Sequence, residues 1–342
     1  MNRNDPLNET TLLWLLEEDN PGVRYLALRD LLALPFDDPD LVSAKEKAHC
    51  EGPIATILDV MHPDGYWEEP GPGYLPKYRS TVWSIILLAQ LGASMDMDPR
   101  IKIGCEYLME HAFNETGQFS SNGPPSGTAD CLQGNLCSAL LDIGYEDPRL
   151  DNAFEWMART VTGDGLASLG DKKASLRYYA GKCGPLFACG ANNKLPCAWG
   201  AAKVMLAFGK LPSSQRTPLI DTAMQQGVDF LLSVDPLEAT YPSGYSEKPS
   251  GNWWKIGFPV FYVTDILQNM EALVLLGYAG DPRLKNALEF ISSKKDSNGR
   301  WALEYDYTDK TLFDFGPKKQ PNKWVTYRVA RVLSKLSVTK TG

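Results

Sequence analysis

Apolar segments that end in glycine alternate along this chain with amphipathic segments. The apolar segments end at Gly92, Gly144, Gly209 and Gly277, which stand 52 to 68 residues apart. Each is followed by a stretch, such as 99–112, whose apolar positions recur at helical spacing between charged positions. A period of this length accommodates two helices and a loop. The pattern therefore predicts stacked helical hairpins.

The pattern predicts six hairpins, each with an apolar first helix and an amphipathic second helix. The first helices are expected over 23–34, 81–91, 132–143, 198–208, 265–276 and 324–336. Their partners are expected over 39–60, 99–112, 148–160, 218–234, 282–294 and, from the start of the chain, 9–18. Because only the amphipathic helices suit contact with water, the two kinds predict an inner and an outer layer.

The two ends of the chain determine whether the hairpins form a ring or an open stack. An open solenoid needs polar caps at both ends. Here the segment over 324–336 lacks a following partner, and the segment over 9–18 can supply it. We therefore expect an all-α fold, an (α/α)6 toroid of six hairpins that forms a single domain over residues 1–342.

Composition narrows the classes of partner. The net charge is −8, and the basic residues are scattered, which argues against binding to nucleic acid. No apolar run approaches the roughly 20 residues that cross a bilayer, and the start of the chain shows no export signal. The 7 cysteines follow no compact disulfide framework, so we expect a cytoplasmic protein in a reducing compartment.

Turns that place an aromatic residue after a glycine follow three of the second helices. They are DGYW at 64–67, TGQF at 116–119 and DSNGRW at 296–301. These turns resemble the degenerate QW repeats of the squalene–hopene cyclase and protein prenyltransferase superfamily. The segments 77–79, 196–200, 258–262 and 323–326 are most similar to its short, single-toroid prokaryotic members. The resemblance implies a terpene-cyclase-like lyase or isomerase that acts on an isoprenoid-like or other hydrophobic small molecule.

The diagnostic motifs of that superfamily are altered in this chain. The nearest match to the class II acid motif Asp-x-Asp-Asp is DMDP at 96–99, and the nearest to the class I motif Asp-Asp-x-x-Asp is DDPD at 37–40. Both precede predicted helices, where aspartate and proline fit a helix start. Protein prenyltransferases bind zinc through Asp, Cys and His, yet none of the 3 histidines falls on a predicted first helix. The resemblance therefore predicts the fold and leaves the reaction open.

The repeat places reactive side chains at the starts of the first helices. Counting back 12 or 13 residues from the glycines reaches Arg79, Cys131, Cys197 and Asp265. In a toroid these starts meet at one end of the cavity, where helix dipoles stabilise anions. Asp265 follows an aromatic segment that would raise its pKa, so it is the first candidate for a general acid, and Asp130 is the second. For both residues, an N-cap is the alternative interpretation.

The cysteines are a second candidate group. Cys131 or Cys197 could act as a nucleophile or as an acid/base group. Cys131, Cys183, Cys189 and Cys197 could together hold zinc, although their spacing lacks the Cys-x-x-Cys signature. Buried, unreactive cysteines are the alternative. The leading interpretation requires no cofactor, and a zinc- or thiolate-dependent transferase or hydrolase stays open beside it.

Aromatic and basic side chains are a third group. Ring faces stabilise a carbocation, and Lys or Arg binds a diphosphate or carboxylate; core packing and solvated charges are the alternatives. The expected substrate contacts are Trp67, Lys77, Tyr78, Arg79, Trp83, Trp199, Trp253, Trp254 and Trp324, with Tyr262 as a further catalytic candidate. We therefore expect an acid-initiated cyclisation, isomerisation or dehydration in an aromatic-lined central cavity. A non-catalytic toroid that binds a lipid or a protein is the remaining alternative.

Overall fold

Thirteen α-helices lie within residues 8–166 and 181–338, the part of the chain that the computed structural model describes. A two-stranded antiparallel ribbon pairs β1 (Ala188–Cys189) with β2 (Leu195–Pro196). The single domain expected over 1–342 includes residues 1–7, 167–180 and 339–342, which lie outside the described part. The helices are α1 (Glu9–Leu15), α2 (Pro21–Asp30), α3 (Pro39–Cys50), α4 (Pro53–Asp59), α5 (Thr81–Gln90), α6 (Pro99–His111), α7 (Asp130–Ile143), α8 (Arg149–Thr162), α9 (Ala198–Lys210), α10 (Pro218–Leu231), α11 (Ile266–Leu273), α12 (Lys285–Ser293) and α13 (Lys323–Val338).

The helices α2, α5, α7, α9, α11 and α13 form an inner ring. Successive members pack from α5 through to α13, and α13 packs in turn on α2. The remaining junction lies at Gly92, just beyond α5, where an added Cβ would come within 2.7 Å of Leu26 in α2. Side chains from all six helices line one central cavity. The ring is closed, which confirms the predicted (α/α)6 toroid.

An outer layer surrounds this ring. The helices α3, α6, α8, α10 and α12 each pack on the inner helix that precedes them, and α1 packs on α13. The Thr11 hydroxyl in α1 donates a 2.9 Å hydrogen bond to the carbonyl of Gly299, so the start of the chain completes the last hairpin as predicted. The helix predicted over 39–60 is instead two helices, because Gly52 takes a φ of +84° ahead of Pro53.

Glycine is required for different reasons at two of the repeat positions. Gly144 takes a φ of +78° and ends α7 in the left-handed conformation that favours glycine. Gly209, in contrast, lies inside α9, where an added Cβ would meet the Cβ of Leu275 at 2.9 Å. The sequence pattern therefore marks helix ends in one case and close helix packing in the other.

The three glycine–aromatic turns each tie the helix before them to the next inner helix. The indole N–H groups of Trp67 and Trp301 donate to carbonyls of α4 and α12, respectively, at 2.7 Å. Their backbone N–H groups donate to hydroxyls of the following inner helix, at 3.2 Å to Thr81 and at 2.9 Å to Thr326. In the same way, the backbone N–H of Phe119 donates to the side-chain oxygen of Gln133 in α7 at 2.8 Å. These buried bonds fix the spacing between hairpins.

The aspartate-rich strings begin outer helices. Asp98 accepts a 2.9 Å hydrogen bond from the backbone N–H of Arg100, and its carboxylate also binds the Arg100 guanidinium. This bond to the guanidinium is the largest cause of the lowered pKa of Asp98. Asp38 accepts from the backbone N–H of Asp40 at 2.9 Å. The prediction that both strings serve as helix caps is confirmed.

Candidate functional site

Two cavities lie at different heights along the inner helices. One, of about 330 Å³, lies inside the ring and is lined by all six inner helices. The other, of about 270 Å³, lies at the N-terminal ends of α7 and α9. The aromatic lining that the sequence led us to expect in the central cavity belongs mainly to the second one, which we call the aromatic pocket.

The central cavity is polar, and its ionic groups are paired. Lys210 binds Asp142 at 2.5 Å and also donates to Ser138 at 2.8 Å. Arg331 binds Glu271 across the α11–α13 junction. A cavity of this kind does not suit a hydrophobic molecule, because such a molecule would displace water from the charged side chains without forming hydrogen bonds to them.

The aromatic pocket combines ring faces with a few reactive groups. Its wall contains the rings of Trp199, Tyr241, Trp253 and Tyr262. Its polar members at the starts of α7 and α9 are Asp130, Cys131 and Cys197, with Cys189 from β1. An apolar pocket with a small number of convergent polar groups is the usual form of a small-molecule site.

Asp130 is the first residue of α7 and has an unusual environment. Its side chain is 3% exposed, makes no capping bond, and leaves Oδ2 without a hydrogen-bond partner among the described residues. Gly200 in α9 allows this close approach, because an added Cβ would stand 3.0 Å from the Cβ of Asp130. Burial raises the pKa of Asp130 well above its usual value, and the nearby Cys197 raises it further. These conditions favour a protonated carboxyl group.

Asp265 differs from the expectation that it faces an apolar wall. Its carboxylate caps α11 by accepting from the backbone N–H of Gln268 at 2.8 Å, and it binds the Arg328 guanidinium at 2.9 and 3.2 Å. A carboxylate in such a pair acts as an acceptor, which does not suit a general acid. It also does not line the aromatic pocket. The helix-cap alternative describes Asp265, whereas Asp130 makes no cap.

Cys131 and Tyr262 face one another on the pocket wall. Burial raises the pKa of the Cys131 thiol to about 11. The pKa of Tyr262 is raised too, first by the proximity of Cys131 and then by burial. Both groups are therefore neutral proton carriers at neutral pH, which leaves Cys131 a poor nucleophile.

Cys197 has the opposite character. It precedes α9, and Cys189 lines the same pocket. Interaction with Cys189 is the largest cause of a lowered pKa of Cys197; the backbone N–H groups of Trp199 and Gly200 and the charge of Lys203 act in the same direction. The pKa of Cys189 is correspondingly raised. Cys197 is therefore the more acidic of the two thiols.

Lys203 is a buried ionisable residue that sequence reasoning missed. It is 0% exposed in α9, and its amine donates to Thr264 and, at 3.1 Å, to Gln268. Burial lowers its pKa to about 8. The available signal was a lone lysine within the otherwise uncharged inner segment over 198–208.

The other predicted contacts do not line the aromatic pocket, although Trp199, Trp253 and Tyr262 do. The indoles of Trp83 and Trp254 donate to backbone carbonyls, and Trp324 stacks on Phe258. Arg79 is exposed and paired with a glutamate. The residues that pack in the core or at interhelix loops are Trp67, Tyr78, Trp83, Trp254 and Trp324, and Lys77 lies over the rings of Tyr74 and Tyr262.

The cysteines do not form a metal centre in the described residues, where no three His, Cys, Asp or Glu side chains are grouped closely enough to hold a metal ion. Cys183 is buried, and burial raises its pKa well above the usual value. A zinc site needs several deprotonated ligands at short range. The donors that the sequence suggested, Cys131, Cys183, Cys189 and Cys197, therefore do not fit zinc here.

Comparisons with known proteins identify no family. No protein-family profile and no curated protein match the sequence. A solved protein from Actinoplanes is similar over 97% of both chains with 13% identity and a TM-score of 0.42. A glycoside hydrolase family 76 mannosidase from Bacteroides thetaiotaomicron has 13% identity and a TM-score of 0.39, covering 76% of this chain and 69% of its own.

A type II terpene cyclase from Scytonema is also similar, with 14% identity and a TM-score of 0.32 over 86% of this chain and 97% of its own. Likenesses this weak do not bear on activity. Within the described residues, no helix is both long and apolar enough to cross a bilayer.

Proposed function

We propose that the aromatic pocket is the active site of an enzyme that protonates a hydrophobic small molecule, with Asp130 as the general acid. The observation that carries this proposal is the buried Asp130 carboxyl group with an unpartnered oxygen on the pocket wall. Burial raises the pKa of this carboxyl group, and a proton donor beside the substrate is what general acid catalysis requires.

The reaction begins when Asp130 gives its proton to one carbon of a double bond in the substrate. A C–H bond forms, the π bond breaks, and a positive charge develops on the neighbouring carbon. The Asp130 carboxylate that remains can take a proton from an adjacent carbon. This step restores the acid and releases an isomerised alkene, so the cycle consumes neither an oxidant nor a reductant.

The pocket supports the charged intermediate through its rings. Trp199, Trp253 and Tyr262 line the same space as Asp130. Each suitably placed ring stabilises a cation by roughly 0.5–2 kcal/mol, and more when water is excluded. A cyclisation differs from the isomerisation only in that a second double bond of the substrate attacks the cation before the proton leaves.

The size of the pocket favours a small substrate. Its volume of about 270 Å³ lies just below the usual range for ligand sites, roughly 300–1,000 Å³. A short isoprenoid with trisubstituted double bonds matches both the apolar wall and the chemistry. Farnesol is therefore a suitable probe.

The test follows solvent deuterium into the carbon skeleton of farnesol. We expect the wild-type protein in D2O to introduce deuterium at a double-bond carbon, and Asp130→Asn to lose this activity. Asp147→Asn serves as the matched control, because Asp147 lies at the start of α8 and does not line the pocket. This variant should keep the activity. Equal deuterium incorporation by Asp130→Asn, or none by the wild type, would count against the proposal.

A further inference from the structure

The ion pairs on the wall of the central cavity show where it opens and how deep it reaches. Arg29 binds Asp30 at 2.6 Å, and Arg328 binds Asp265 at 2.9 Å. The side chains of Arg29 and Asp142 are 31% and 34% exposed, whereas that of Arg328 is 7% exposed. The cavity of about 330 Å³ therefore extends from a solvent-accessible side to a buried one.

The charges around this cavity balance. Among the described residues, four cationic side chains line it, and each is paired with one carboxylate. Burial alone would raise the pKa of Glu271, but the charges of nearby cations, first Arg331 and then Lys210, outweigh this effect and lower the pKa. Glu271 is therefore an ionised acceptor. A ligand with a net charge would add a buried charge that has no partner, so the cavity favours a neutral molecule.

Several polar groups of the wall have hydrogen-bonding capacity left. Within the part of the chain that the structure describes, the side chains of Asp142, Glu271 and Gln268 each bond through a single oxygen. The second carboxylate oxygens of Asp142 and Glu271 are thus open acceptors, and the Gln268 amide nitrogen is an open donor. Arg331 adds donors, because only one of its three side-chain nitrogens is bonded there. Open donors beside open acceptors suit hydroxyl groups, which donate and accept at once.

Apolar side chains complete the wall. Ile86, Ala139 and Leu206 line the same cavity. A cyclic polyol presents C–H surface on its ring faces and hydroxyl groups at its edge, so it matches a wall of both kinds. The volume of about 330 Å³ lies near the lower end of the range for ligand sites, roughly 300–1,000 Å³, which favours a single sugar ring over a chain of them.

We propose that the central cavity is a binding site for a neutral monosaccharide, held by the open groups of Asp142, Glu271, Gln268 and Arg331. Its hydroxyl groups replace water on these atoms, so hydrogen bonds are exchanged and not lost. The carboxylates that face the sugar are each held by a cation, so neither is a proton donor and the sugar is bound without cleavage. Among the described residues, the two cavities share no lining side chain, so this site is separate from the aromatic pocket and from the reaction proposed there.

The experiment titrates the protein with D-glucose, D-galactose and D-mannose and follows binding by saturation-transfer-difference NMR. We expect saturable binding of at least one of them, with a Kd of about 1 mM or tighter. The uronate and the 2-amino derivative of the sugar that binds should bind about tenfold more weakly or not at all, because the cavity has no unpaired charge to match theirs.

Two variants locate the sugar. Asp142→Asn removes a charged acceptor and should weaken binding about tenfold or more. Its matched control is Asp281→Asn, which removes the carboxylate of an ion pair outside the cavity and should leave binding unchanged. Ala139→Leu fills part of the central cavity without altering an ion pair, so it should abolish binding. Ala191→Leu makes the same change in the aromatic pocket and should keep it.

Three results would overturn the proposal: no binding of any of the three sugars, tighter binding of a uronate or an amino sugar than of its neutral parent, or unchanged binding in Ala139→Leu. The comparison of charged with neutral sugars uses the wild-type protein, so it gives an answer even if a variant does not fold. The titration contains no alkene substrate, so its result is independent of the proton-transfer role of Asp130.

Discussion

Asp265 and Arg328 form a bidentate ion pair inside the toroid, with Nη1 2.9 Å from Oδ2 and Nη2 3.2 Å from Oδ1. Asp265 caps α11 and Arg328 lies in α13, so the pair joins the last two inner helices. Both side chains are buried. In this pair the Asp265 carboxylate accepts hydrogen bonds from Arg328. Asp130 is then the candidate carboxyl group that can donate a proton to a molecule in the aromatic pocket.

Breaking this pair should cost stability. Arg328→Met leaves a buried, unpaired Asp265 carboxylate, and the free energy of unfolding should fall by about 3–5 kcal/mol. Asp265→Asn in the same protein removes the charge and keeps a residue that caps helices well, so the double variant should be more stable than Arg328→Met alone. Urea unfolding of the four proteins measures the coupling.

The exposed pair of Arg283 with Asp281 provides the control for this cycle. Arg283→Met should change the free energy of unfolding by about 0–1 kcal/mol, since exposed pairs contribute little. If the free energy of unfolding of the Asp265 and Arg328 double variant falls by the sum of the losses in the two single variants, the buried pair is not energetically coupled.

Lys203 should make stability depend on alkaline pH. The pKa of Lys203 is 10.5 in the unfolded chain and about 8 in the folded protein. Burial of the charged amine therefore destabilises the folded protein fully below about pH 8, and this destabilisation disappears as the pH rises to about 10.5. This difference corresponds to about 3 kcal/mol. The wild-type protein should therefore gain stability relative to Lys203→Met as the pH is raised across this window. Chemical unfolding at several pH values measures it.

The exposed Lys295 offers a matched substitution for this comparison. The stability difference between wild type and Lys295→Met should stay flat over the same window. A flat difference for Lys203→Met as well would show that the amine of Lys203 titrates alike in the folded and unfolded chain.

The hydroxyl of Thr326 should contribute to stability through Trp301. Thr326→Val keeps the shape of the side chain but leaves the buried N–H of Trp301 without its 2.9 Å acceptor, and the expected loss is about 1–3 kcal/mol. Thr222→Val, on the exposed face of α10, should change stability by less than ~0.5 kcal/mol. Equal melting temperatures for the two variants would contradict a structural role for the turn bonds.

The fold was predictable from the sequence because the repeat is local. Apolar inner segments, amphipathic outer segments and glycine–aromatic turns each depend on residues close together in the chain, and the closed toroid follows from them. The break at Gly52 was missed, although the dipeptide Gly52-Pro53 is a recognised signal for a turn. The repeat also placed Cys131 and Cys197 together at one end of the inner helices.

The choice between the two aspartates was not predictable. Asp265 meets Arg328, which lies 63 residues later, and Asp130 meets Gly200 on the next inner helix. Such contacts depend on the packed ring and not on the local pattern. The same reason explains why Lys203 was missed, because its partners Thr264 and Gln268 come from another hairpin.

The most direct test of the central claim measures the protonation state of Asp130. The carboxyl carbons of isotope-labelled aspartates are followed by NMR as the pH is varied, and the Asp130 signal is assigned as the one absent from Asp130→Asn. This carbon should keep the chemical shift of a protonated acid at pH values where an ordinary aspartate is ionised, because burial holds the pKa of Asp130 well above its usual value. A titration near the ordinary aspartate value of about 3.9 would contradict the assignment of Asp130 as the general acid.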